Sequence, residues 1–116
     1  MAIKAREDKI DLLQGTLDML ILQILQWGPM HGLGIAQTIR ARSEELLKIE
    51  AGSLYPALHR LEQQGWLTAV WQTSEKGQRA KYYRLTRAGK KQLSEEQSNW
   101  DRLIKAIQLV MRPGER

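Results

Sequence analysis

A mainly α fold carrying one small β-hairpin, α+β in class, is predicted by three features of this 116-residue sequence. Leucine and isoleucine recur at helical spacing in successive segments divided by glycine and proline. Two runs rich in aromatic and β-branched residues then flank a polar loop. A long terminal segment repeats apolar residues at alternating intervals of four and three, which makes a single narrow seam on a helix.

The first helix is carried by Leu13, Leu17, Leu20, Ile21 and Ile24, with Thr16 suited to cap its start. It ends at Trp27-Gly28-Pro29, where proline offers no N–H and turns the preceding residue away from helical backbone. Beyond Gly32, the side formed by Ile35, Ala36 and Ile39 marks a second helix paired tightly with the first. Periodicity fades from Glu44 to Gly52, and Ile49 there reads as part of a minimal strand. Ser53 is then an expected N-cap for a third helix over about Leu54 to Gln64. Leu54, Leu58 and Leu61 are its buried stripe, Pro56 falls in its first turn, and Gly65 stops it.

Trp66 to Gln72 and Ala80 to Leu85 read as two strands, with Trp66, Trp71, Tyr82 and Tyr83 packing the sheet on the helices. The loop Thr73 to Arg79 is too long for the tightest hairpin turn and is expected to project as a basic tip, a wing. Thr86 caps a last helix that runs toward Met111, with Leu93, Gln97, Trp100, Ile104, Ile107 and Met111 along its seam and Leu103 and Val110 broadening it. A seam this narrow on a terminal helix calls for a second copy to cover it. The chain therefore divides into a winged helix-turn-helix domain over residues 1–85 and a dimerisation helix over residues 86–116.

Hydrophobic residues at 42% and charged residues at 27% describe an ordinary soluble domain, with length for one core. No stretch approaches the ~20 apolar residues of a membrane span, and the opening residues hold no apolar signal core, so a cytoplasmic protein is expected. The absence of cysteine excludes disulfides and thiolate zinc sites. His31 and His59 lie far apart without clustered carboxylates, and read as capping or surface groups rather than metal ligands. With no glycine-rich phosphate loop and no paired catalytic carboxylates, neither an enzyme nor a cofactor site is expected.

The net charge of +5 points toward a polyanion, and its distribution is the stronger sign. From Lys76 to Ser94 the chain carries Lys76, Arg79, Lys81, Arg84, Arg87, Lys90 and Lys91 without one Asp or Glu.

Several motifs resemble PadR-like regulators: Leu12-Leu13-Gln14-Gly15-Thr16-Leu17, Gly28-Pro29-Met30-His31-Gly32, the run from Gly52 to Glu62, Gly65-Trp66, and the run from Arg79 to Thr86. The likeness extends from about Asp11 to the end and is greatest to the acidobacterial-type subgroup, which Glu50 to Thr86 resembles nearly throughout. Leu33-Gly34 departs from it, since the family commonly has tyrosine after His-Gly. The resemblance implies a dimeric winged helix repressor whose third helix and wing contact operator DNA.

With its leucines turned inward, the third helix presents Ser53, Tyr55, Pro56, His59 and Arg60 as candidate contacts to double-stranded DNA. Ser53 and Tyr55 have donors for phosphates or base edges, Pro56 an apolar face for a thymine methyl, Arg60 a fork for phosphate or guanine, and His59 a charge-dependent contact. Lys76, Arg79 and Lys81 of the wing would lie along the backbone or minor groove. Plainer readings stand beside these: Tyr55 packed on the core edge, Pro56 as helix starter only, a wing that is merely solvated, or a winged helix that docks proteins without specific DNA binding. RNA recognition lacks an exposed aromatic platform. Trp100 reads as an interface anchor, or, paired across a two-fold axis, as the lining of a slot for a flat apolar effector.

Overall fold

The computed structural model of the protein describes residues 14–114, so Leu12 and Leu13 lie outside the described part. Helix α1 spans Gln14–Ile24 and tightens into a 3₁₀ turn at Leu25–Trp27. There follow β1 (Met30–His31), α2 (Gly32–Arg42), α3 (Ala51–Gln63), β2 (Leu67–Thr73), β3 (Arg79–Leu85) and α4 (Arg87–Met111). Three short helices, a basic hairpin and a long last helix make a winged helix with a C-terminal arm.

The core forms where the apolar stripes meet. Leu17, Ile21 and Leu22 of α1 pack with Ile35 and Ile39 of α2, Leu54, Ala57, Leu58 and Leu61 of α3, Leu67, Tyr83 and Leu85 of the sheet and Leu93 of α4. Each fully buried Leu or Ile contributes about 1.5–3 kcal/mol relative to exposure. Thr16 lies inside α1 rather than at its start. The chain leaves this helix through Gly28 at φ +140, backbone that only glycine adopts without strain.

The Ile49 segment is not a strand. Ser43 to Glu50 is a loop in which the Ser43 hydroxyl accepts from Leu47 N, while Leu47 and Ile49 lean on the core. The minimal strand is β1 instead, antiparallel to β3 with Met30 opposite Tyr83 and His31 opposite Tyr82. That pairing closes one edge of β3, giving a sheet in the order β1-β3-β2.

Helix α3 begins before the expected cap. Glu50 is its N-cap, with extended backbone (φ −85, ψ 153), and the Glu50 carbonyl accepts from both Ser53 N and Leu54 N. Ser53 therefore sits within the first turn, and Pro56 lies inside the helix, where it has no N–H to give the Gly52 carbonyl. The far end closes in a Schellman motif: Trp66 N donates to Leu61 O, Gly65 N donates to Glu62 O, and Gly65 takes φ +80.

In the hairpin, Leu67 pairs with Leu85 and Thr73 with Arg79, so each strand reaches one residue nearer the tip than the sequence suggests. The turn is Ser74 to Gln78, closed by Ser74 N donating to Gln78 O and by Gly77 at φ +81. Thr86 alone separates β3 from α4. Its hydroxyl accepts from Gly89 N and donates to Gly65 O, and its own N–H donates to Trp66 O. Helix α4 then buries Gly89 and Leu93; beyond Glu96 every described residue is exposed except half-buried Ile104. Among the described residues no helix is long and apolar enough to cross a membrane.

Candidate nucleic-acid interface

The start of α2, Tyr55 of α3 and the wing line an open groove of about 790 Å³. Leu33 and Gln37 of α2, Tyr55 of α3, and Trp71, Lys76 and Arg79 of the hairpin are among its lining residues. Tyr55 is half exposed, at 48%, yet its ring is not free to wander. It lies against Gly32, where a Cβ would stand 2.7 Å from the ring, so the missing side chain is what lets the tyrosine seat there. Gly32 in turn is held by the cap of α2, in which His31 Nδ1 accepts from Gly34 N at 3.0 Å. The imidazole also meets the Tyr82 ring in a T-shaped contact, with ring centroids 5.2 Å apart.

Ser53, Tyr55, Pro56 and His59 all lie on the exposed face of α3, and Lys76 and Arg79 are exposed on the wing. Among the described residues neither Lys76 nor Arg79 makes an ion pair. The remaining two predicted cations are engaged within the fold. Arg60 Nη2 donates to Asp18 Oδ1 at 2.6 Å, tying α3 to α1, and Lys81 Nζ donates to Glu62 Oε1 at 2.9 Å, tying the wing to α3. Glu62 holds the Lys81 ammonium above its ordinary pKa. These two ion pairs tie α3 to α1 and to the hairpin, and Lys81 also lines the groove.

Burial pushes the Asp18 carboxyl above the usual carboxylate range, against the opposing pull of Arg60. A carboxyl whose folded value exceeds its unfolded one favours the fold below the ordinary carboxylate pKa, and that contribution is lost as pH rises through the raised value. Asp18→Asn is therefore expected to gain melting temperature relative to the parent as pH climbs from strongly acid to neutral. A difference that stays constant across that range would contradict the assignment.

Trp71 corrects the expectation that all four strand aromatics pack inward. Tyr83 is buried and Trp66 and Tyr82 are half-buried, but Trp71 is 59% exposed. It shares a sheet face with Leu67 and Ala69, yet lies farther toward the tip. The Arg79 guanidinium sits over its ring, 5.8 Å from the centroid.

The seam of α4 is split. Leu93 is buried in the core of the chain, whereas Trp100, Leu103, Ile107 and Met111 are exposed at 40%, 54%, 46% and 73%. Gln97 and Trp100 help line an apolar groove of about 360 Å³ between α1 and α4, together with Met19, Leu20 and Leu47.

A model of the family described as "Transcriptional regulator PadR-like family" matches residues 21–95. A solved transcriptional regulator from Clostridium thermocellum is similar at 31% identity and a TM-score of 0.79, over 85% of this chain and 96% of that one. A PadR family transcriptional regulator from Eggerthella lenta is similar at 32% identity and a TM-score of 0.76, over 87% of this chain and 86% of that one. A curated protein from Lysinibacillus sphaericus is 33% identical over 101 residues, 87% of this chain and 93% of its own length.

Proposed function

Because the chain belongs to the PadR-like family of transcriptional regulators, we propose that it is a cytoplasmic homodimeric repressor, of the acidobacterial-type subgroup, acting on a near-palindromic operator. Residues 1–85 are its DNA-binding domain and residues 86–116 its dimerisation helix. Family membership makes it a DNA-binding regulator rather than an enzyme. The observation that carries the finer reading is the shared groove, where Tyr55 on the exposed face of α3 faces the same open space as the wing cations Lys76 and Arg79, which have no carboxylate partner among the described residues.

In this reading the first turns of α3 enter the major groove, with Ser53, Tyr55, Pro56 and His59 toward base edges. Tyr55 brings a ring already oriented by Gly32, so little freedom is lost on binding. Lys76 and Arg79 hold the DNA backbone or minor groove and supply the salt-dependent share of affinity. Arg60 and Lys81 brace α3 and the wing, and contribute charge to the field without leaving their carboxylates. Two copies joined along α4 would set their reading helices about 34 Å apart, on successive major grooves. The apolar groove beside Trp100 supports a binding slot for a flat apolar effector at that interface.

Selection of bound sites from random duplex DNA tests this. Tyr55→Ala is expected to change the preferred sequence, whereas Lys76→Ala is expected to weaken binding to every sequence and reduce the slope of log affinity against log salt by about 1. A winged helix that only docks proteins predicts neither sequence preference nor a steep salt slope. Unchanged affinity and preference in Tyr55→Ala would remove α3 as the reading element.

A further inference from the structure

The exposed indole of Trp71 has no place in the binding scheme above. Its partner is specific. Trp71 on β2 and Arg79 on β3 lie diagonally across the hairpin on one face, since Trp71 opposes Lys81 and Thr73 opposes Arg79. Of the other cations near it, Lys81 is tied to Glu62 and Arg84 projects from the opposite sheet face. Lys76 sits in the turn itself. Arg79 is thus the one guanidinium of the described hairpin that stands on the groove side, and an aromatic face steadies it.

A guanidinium held over an indole face by a cation–π contact loses some of its freedom, and it is more weakly hydrated than an ammonium. Those are the properties that favour entry into a narrow, strongly negative groove. We infer that Trp71 and Arg79 form a single reading element that enters the minor groove beside the α3 half-site and selects base pairs lacking an amino group there. Arg79 supplies the contact; Trp71 is its positioning residue, with its ring edge against the sugar wall. A·T pairs satisfy this and G·C pairs do not, because guanine projects its 2-amino group into the minor groove. The operator would then carry A·T pairs at the wing position whatever α3 reads next to them.

The inference rests on the DNA-binding reading, and the experiment separates the two. Alternating poly(dI-dC) and poly(dG-dC) duplexes offer closely similar major-groove edges and differ by that 2-amino group. The intact protein is expected to bind poly(dI-dC) more tightly on the order of tenfold. Trp71→Ala and Arg79→Ala should each bring the ratio near one, and the double variant should reduce it no further. Arg79→Lys should lose the ratio while keeping the parental salt slope, a result that loss of charge alone does not produce. Trp71→Phe, which keeps an aromatic face, should retain much of the ratio and guards against loss of folding in the alanine variant. Equal parental affinity for the two polymers, or a Trp71→Ala protein with the parental ratio, overturns the inference while leaving DNA binding intact. Absence of salt-dependent binding to either polymer overturns the DNA-binding reading, and this inference with it.

Discussion

Gly89→Ala is expected to cost the fold on the order of 3 kcal/mol and to lower the melting temperature by roughly 10 °C or more. A Cβ at this position would stand 2.1 Å from the Trp66 carbonyl oxygen and 2.7 Å from Leu85 Cδ1. The leucine tip can shift, but the carbonyl cannot. It is backbone, it already accepts from Thr86 N, and it belongs to the residue that closes the Schellman motif of α3. Alanine would have to lift the first turn of α4 away, breaking the Thr86 cap and moving Leu93 out of the core. Gly52→Ala is the control, because a Cβ there meets nothing within 4 Å and the position is helical. Removing that glycine should raise stability by about 0.5–1 kcal/mol. Thermal unfolding of both variants checks this, and a Gly89→Ala protein that melts within a degree or two of the parent would refute the packing described.

If the proposed dimer forms along α4, Ile107→Glu is expected to convert it to a monomer and to weaken binding to a full operator by two or more orders of magnitude. Ile107 is 46% exposed and has no place in the buried core, so the variant should still fold. A two-fold interface presents every substitution twice, and two carboxylates brought into one apolar seam lose hydration without gaining partners. Leu109→Glu makes the same change of chemistry at a residue 52% exposed on the opposite side of α4, and should remain dimeric. Sedimentation velocity together with titration of one- and two-half-site duplexes distinguishes the variants. A dimeric Ile107→Glu protein with parental affinity would place the interface elsewhere.

The parts of the fold legible in the sequence are those governed by local periodicity. Leu17, Ile21 and Ile24, the leucines of α3 and the Thr86 cap all follow from spacing and propensity. What escaped depends on contacts far along the chain. β1 is only two residues long and exists because β3 has an edge to offer it. At α3, Ser53 is the better local cap, but the backbone at Glu50 turns earlier, which carries Pro56 into the helix. In the candidate site, the exposed positions on α3 and the turn follow from the inward leucines and from the hairpin. The engagement of Arg60 and Lys81 does not, since Asp18 and Glu62 lie 42 and 19 residues away in the chain. Strand alternation assigns Trp71 to the inner face correctly; how far that face is covered is set by packing rather than by alternation.

With Thr86 as the whole connection between β3 and α4, and each of its polar groups fastened to a neighbour, the protein has no slack at that joint. Mechanically, α4 is a lever. Its 25 residues make an arm of about 38 Å. Carried rigidly through this joint, a tilt of about 5° displaces the far end by roughly 3 Å, close to the ~3.4 Å rise of one base pair. In the proposed dimer, a change in crossing angle too small to disturb packing along the seam would thus shift the two reading heads by about one step of DNA, enough to take them out of register with two half-sites.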